Sequence, residues 1–194
     1  MNHEMKVSRI ERPFEVYCFS DRWDGGTALL REWTRTAPNG RVDHCGEILF
    51  HTSYGSYAYT WSSMATRLKH FLAEAGRRGE CGYIMGKFAG SELTEPDREA
   101  TANEFRKGVI ERRREKRLTK DQAREDWTMI ANYECDTIER LVDAVSDTHT
   151  FDANCYEHVC TRMKPAHKHF WENIFLPLCK CLERELRPVE EAAA

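Results

Sequence analysis

The spacing of hydrophobic and polar residues along this chain changes once: up to residue 61 they alternate in twos, and from Ser62 onward they recur at helical spacing. In the first part, Phe14, Val16, Cys18 and Ser20 alternate with Glu15, Tyr17 and Phe19. Apolar residues fall on both sides, which reads as a strand buried on both faces. A second strand, 27–36, follows the turn Asp24-Gly25-Gly26, and Pro38-Asn39-Gly40 marks the next reversal. Segments 43–53 and 56–61 flank Tyr54-Gly55-Ser56 and form a hairpin with one buried face. Tyr57, Tyr59 and Trp61 share parity, so their rings lie on one side of the last strand. Three large rings on one face suit a core better than a binding surface, since burying each contributes on the order of 2 kcal/mol. These segments predict a four-stranded antiparallel meander.

Beyond Ser62, Met64, Ala65, Leu68, Phe71, Leu72 and Ala75 share a helical face, with Ser62 or Ser63 available as N-cap and Gly76 and Gly79 as terminators. A short helix follows at 83–88. Thr94-Glu-Pro-Asp97 caps a long helix reaching about residue 117, and Thr119-Lys-Asp-Gln122 is a capping box. It opens a helix whose stripe is Trp127, Ile130, Ile138, Leu141, Val142 and Val145, broken at 146–150. The last helix, 165–187, carries Phe170, Trp171, Ile174, Phe175, Leu178 and Leu182 on one face, and Pro177 inside it predicts a kink or a fresh start. The expectation is an α+β fold: an N-terminal antiparallel β-meander of about four strands, followed by and packed against about five helices. A single domain is expected over 1–194, mainly β to 61, mainly α over 62–187, with a frayed tail at 188–194.

With 194 residues and 21 aromatics the chain is large enough to bury a core without staples. A net charge of -3 and a pI near 6.3 remove the usual compositional argument for a dedicated nucleic-acid binder. The first ten residues lack an apolar run of signal-peptide length, and no later stretch is long enough to span a bilayer, so a soluble cytoplasmic protein is expected. In that compartment the eight irregularly spaced cysteines read as free thiols or metal ligands rather than disulfides.

Charge is unevenly distributed. Residues 106–124 hold nine basic side chains against three acids, and Arg112, Arg113, Arg114 and Arg117 are its centre. Such a patch could contact phosphates. It could equally be a solvated helix end, because basic residues complement the C-terminal dipole and no aromatic is interleaved to stack a base. Downstream, Glu134, Asp136 and Glu139 form an acidic counterpart. For metal, Cys155-Tyr-Glu-His158-Val-Cys160 followed by His167, His169, Cys179 and Cys181 could supply a tetrahedral zinc set, with Cys155, His158, Cys160, His167 and His169 as candidates. The spacing matches no familiar Cys-x2-Cys module, and small buried thiols beside exposed histidines explain it as well. No cofactor is assigned. Catalytic pairs are unspecific: His44 and Cys45 are adjacent and point to opposite faces of a strand, and His51 with Ser53 or Tyr54, and Asp43 with Glu47, are coincidences expected in a chain with eight His, eight Cys and 32 acidic residues. No catalytic residue is named, and the chain reads as a binding protein rather than an enzyme.

Three pieces carry a resemblance: Ile48-Leu-Phe-His-Thr-Ser-Tyr-Gly-Ser-Tyr-Ala-Tyr-Thr-Trp61; Leu68-Lys-His-Phe-Leu72 with Tyr83-Ile-Met-Gly-Lys-Phe88; and His169-Phe-Trp-Glu-Asn-Ile-Phe-Leu-Pro-Leu-Cys179. Together they resemble a family of small proteins encoded by tailed bacteriophages and prophages, over most of the chain after residue 45. The resemblance implies context rather than chemistry. Small accessory phage proteins bind and redirect host proteins, including defence complexes such as CRISPR effectors, and it carries over no catalytic residue. The expected partner is a host protein or ribonucleoprotein complex, bound through the Arg112–Arg114 and Arg117 patch or the Glu134, Asp136 and Glu139 face. A nucleic-acid-binding module using 106–124 and a small enzyme with a site hidden from sequence are the alternatives.

Overall fold

The computed structural model describes residues 14–20, 25–37, 40–133, 136–152 and 154–187. Asp24, Pro38, Asn39, Glu134 and the tail from Pro188, on which expectations fall, lie outside them. The described chain groups into two compact units, one holding 14–93 and 165–187 and the other 94–164.

The first unit is built on four strands, β1 (Glu15–Ser20), β2 (Gly25–Thr36), β3 (Val42–Thr52) and β4 (Gly55–Met64), paired antiparallel in sequence order. This is the expected meander. Helices α1 (Leu68–Arg78) and α2 (Cys81–Ala89) follow directly. Later elements of the chain complete the unit: a helix at Pro165–Phe170, a π turn at Trp171–Phe175 and a helix at Leu176–Leu186.

One face of the sheet, with Ala28, Leu30, Ile48, Phe50, Tyr57 and Trp61 all buried, supplies half the core. Phe50 meets Phe170 edge-on at 4.9 Å and Phe88 at 5.7 Å, while Trp61 meets Phe71 at 5.4 Å. The Tyr57 and Trp61 rings are therefore core, as their shared parity predicts. β1 departs from expectation. It is an edge strand rather than one buried on both sides, and Val16 is 58% exposed. Its inward residues are tied down by polar contacts: Lys69 of α1 pairs with Glu15 and, at 3.1 Å, with Glu185, to which the Tyr17 hydroxyl donates at 2.9 Å.

Helix α1 also starts later than its pattern suggests. β4 runs on through Met64, and neither serine caps the helix: the Ser63 hydroxyl donates to Asp43 instead, at 3.1 Å. The free N–H of Lys69 finds Glu32 on β2 at 2.8 Å, an acceptor 37 residues away in sequence. At the other end Gly79 is the left-handed C-cap, at φ 69°. Gly76 is not a terminator. A Cβ there would lie 2.5 Å from that of Cys179, so the glycine is what lets α1 pack closely on the final helix. Pro177 lies in the first turn of the final helix, the fresh start it was expected to mark, after a π turn in which the Leu176 N–H reaches the Trp171 carbonyl.

The second unit begins and ends on a two-stranded pairing, β5 (Thr94–Pro96) with β6 (Thr161–Met163). Between them lie α3 (Arg98–Arg114), α4 (Lys120–Tyr133), α5 (Ile138–Ser146) and a 3-10 turn at Cys155–His158. Asp97 caps α3 as expected, accepting from the Ala100 N–H at 3.0 Å. The helix ends at Arg114, three residues before its expected limit. The single helix expected through Trp127 and Val145 is two helices, α4 and α5, the second capped by Thr137. Phe105, Val109, Ile130, Leu141, Val142 and Val145 form the core of this unit. With the helices of α3 to α5 following the meander, the chain has an α+β fold.

Candidate interaction surface

The last turn of α3 carries Arg112, Arg113 and Arg114, where positive side chains complement the negative end of the helix dipole. The helix closes in a Schellman arrangement. The Lys116 N–H donates to the Arg113 carbonyl at 3.2 Å and the Arg117 N–H to that of Arg112 at 2.9 Å, with Lys116 at φ 62°. The capping box then opens α4: the Gln122 N–H donates to Thr119 Oγ1 at 3.2 Å, and the Thr119 N–H donates to Gln122 Oε1 at 2.9 Å.

This reversal sets the basic end of α3 beside the start of α4, which adds Lys120 and Arg124. Between the two helices is an open cleft of about 330 Å³. Val109, Ile110, Ala123 and Trp127 make an apolar floor, and Arg113, Arg114, Lys120 and Arg124 make a basic rim. Ile110 is 39% and Trp127 41% exposed, side by side on this floor. The Arg106 guanidinium lies 5.7 Å from the Trp127 ring. Some of this charge is locally matched: on the rim Arg124 faces Asp121 at 4.0 Å and Arg113 donates to the Leu118 carbonyl at 3.4 Å, and off it Arg117 pairs with Glu115 at 3.1 Å. Of the rim, Arg113, Arg114 and Lys120 have no carboxylate partner among the described residues, and neither does Arg112 beside it.

Sequence reasoning placed Trp127 on the buried stripe of α4. The structure buries Asp126 instead, which accepts from the His149 N–H at 3.0 Å and from the Thr150 hydroxyl at 2.5 Å. Rotating Asp126 inward turns Trp127 outward and supplies the aromatic that the 106–124 run lacks. The sequence carries no local signal for this, because the hydrogen bonds that satisfy Asp126 come from a loop more than twenty residues on.

The other candidates are placed as follows. Asp136 accepts from the Thr137 N–H at 2.9 Å and pairs with Arg140 at 3.1 Å, and these contacts hold its carboxyl below the usual range. Glu139 is exposed on the first turn of α5, and Glu134 lies outside the described residues. Of the metal candidates in the second unit, Cys155 is buried with its thiol directed at the Val142 carbonyl, the Cys160 thiol faces the His158 carbonyl, and the His158 ring packs on Phe151 at 5.5 Å. In the first unit, His167 bridges Tyr57 and the Glu92 carbonyl. Since that carbonyl only accepts, Nε2 donates to it, while the Tyr57 hydroxyl lies 2.9 Å from Nδ1 and 3.2 Å from the Tyr54 carbonyl. His169 stacks on Tyr54 at 6.1 Å. Among the described residues, no group of three or more His, Cys, Asp or Glu is placed to hold a metal ion. Cys45 is buried with its thiol 3.0 Å from the Ser62 carbonyl, and His51 bonds Ser56 at 3.0 Å. No described helix is long and apolar enough to cross a membrane.

No curated protein and no solved structure matches the chain. A protein-family profile, described as a phage family, does match, over residues 39–182. That stretch covers the aromatic hairpin, both helices that follow it, the whole second unit and most of the final helix. With well over half of its length matched, the chain belongs to this phage family.

Proposed function

We propose that this protein is a phage-encoded accessory protein that works by binding a host protein complex in the bacterial cytoplasm, inhibiting or modulating it, rather than by catalysis. Action against a host defence complex, CRISPR effectors included, is the form of this reading that the phage origin favours. The observation that carries it is the α3–α4 cleft. An exposed tryptophan and isoleucine inside a ring of cations, three of which lack a carboxylate partner among the described residues, have the composition of an interface hot spot. Charge complementarity names the occupant: an acidic, amphipathic segment of the host protein, its apolar side chains on Trp127 and Ile110 and its carboxylates on Arg113, Arg114 and Lys120.

The test compares wild-type protein with Trp127→Ala and with the double variant Arg113→Glu, Arg114→Glu. Two measurements are made: capture from nuclease-treated host lysate, and titration with a Glu- and Leu-rich helical peptide. The expected result is one stoichiometric host protein and measurable peptide affinity for the wild type, both weakened at least about tenfold in the variants at unchanged thermal midpoint. Variants that capture and titrate like the wild type overturn the placement. A second reading rests on Trp127 beside Arg106, an aromatic plane next to a basic run, which also suits single-stranded nucleic acid. Recovery of nucleic acid alone, with binding that falls steeply with salt, would favour it.

A further inference from the structure

The sheet of the first unit has a second face, turned away from its helices, on which an apolar row lies between polar ones, Cys18, Thr27, His51 and Ser56 on one side and Arg31, Glu47 and Thr60 on the other. Cross-strand pairing lines up Val16, Leu29, Leu49 and Ala58 as one apolar row across all four strands. Val16 is 58% and Leu49 38% exposed, whereas a sheet with one solvated face ordinarily alternates polar residues outward. The next row holds Arg31 on β2 opposite Glu47 on β3, joined at 2.9 Å. Phe14 and Trp33 lie against the Arg31 guanidinium, each 5.1 Å from it.

We infer that this face is the contact between two copies of the chain, packed sheet on sheet about a two-fold axis that runs along the strands midway between β2 and β3. The inference does not depend on the α3–α4 cleft. Its warrant is self-complementarity. That axis exchanges the positions of β2 and β3 and of β1 and β4, so Leu29 of one copy faces Leu49 of the other and the larger Val16 faces the smaller Ala58. Arg31 faces Glu47 of the second copy, and Glu47 faces its Arg31, giving an alternating square of four charges in place of two isolated pairs. An axis perpendicular to the strands would not set Arg31 over Glu47 in this way. An axis along them also keeps the sheets aligned, the arrangement twisted sheets adopt at about −30° and about 10 Å apart.

Light scattering and sedimentation of the purified full chain test this. At about 50 μM, some fifty times a micromolar dissociation constant, the expected mass is twice the 22.7 kDa of one chain. Leu49→Lys and Ala58→Arg, both on exposed positions, each weaken the dimer at least about tenfold. Glu47→Arg, shown to be folded by circular dichroism, does the same by setting arginine against arginine, and adding Arg31→Glu restores the dimer. If Leu49→Lys proves unfolded by circular dichroism, Ala58→Arg decides. A wild-type monomer at that concentration, or a dimer indifferent to Ala58→Arg and to the charge exchange, overturns the inference.

Discussion

Single side chains in this protein are sorted by what reaches them from afar. Cys179 illustrates it: packed against Gly76 between two helices, its thiol is pushed up to about 12 by burial. At about pH 8 a free thiol is already partly ionised, but Cys179 stays protonated and inaccessible. The expected outcome of maleimide labelling of the folded protein is fast reaction at the exposed Cys18 and Cys181, and none at Cys45, Cys155 or Cys179 until denaturant is added, read by peptide mass spectrometry. Early labelling of Cys179 would contradict the close packing of the two helices. Asp126 follows the same logic in the opposite direction. A carboxylate in a helical stripe reads as a surface residue, yet two donors from the loop after α5 make its burial tolerable, and Trp127 is displaced to the surface as a result.

Elements are legible from the chain to the extent that their ends are capped locally. α3 and α4 begin where Asp97 and the Thr119–Gln122 box say they must, since donor and acceptor sit within three residues of each other. α1 does not, because its first-turn acceptor is Glu32 on a different element. The end of α3 is a subtler case. A lysine occupies the left-handed position that glycine usually fills, and an L side chain there is strained. Lys116→Gly is therefore expected to stabilise the protein by about 1 kcal/mol, seen as a higher urea midpoint at unchanged slope. No gain would mean that the Lys116 side chain contributes contacts that offset the strain. The final helix shows why Pro177 was ambiguous: a proline forbids a regular hydrogen bond, but whether the chain stops, kinks or widens depends on what Trp171 and Phe175 pack against, and here they stack on one another at 4.7 Å.

At the level of the whole molecule, the chain leaves its first unit after Leu93 and re-enters at Pro165, and β5 pairs with β6 so that both ends of the second unit, Thr94 and Met163, are cross-strand neighbours. An inserted unit with joined ends and its own apolar core is expected to fold alone. The isolated segment 94–164 should show helical circular dichroism and a cooperative thermal transition, and a segment without a transition would make the two units one folding block. The α+β class, the four-strand meander and the aromatic core face were written in the sequence, because period-two alternation, turn residues and large rings at one parity act between near neighbours. So was the resemblance to phage proteins, which the family match bears out. Tertiary structure alone decided that β1 is an edge, that α4 and α5 are separate, and that Trp127 faces outward over a basic cleft. Those outcomes depend on which distant groups satisfy a buried carboxylate, a helix end or an apolar face, and that is information no local pattern along a chain contains.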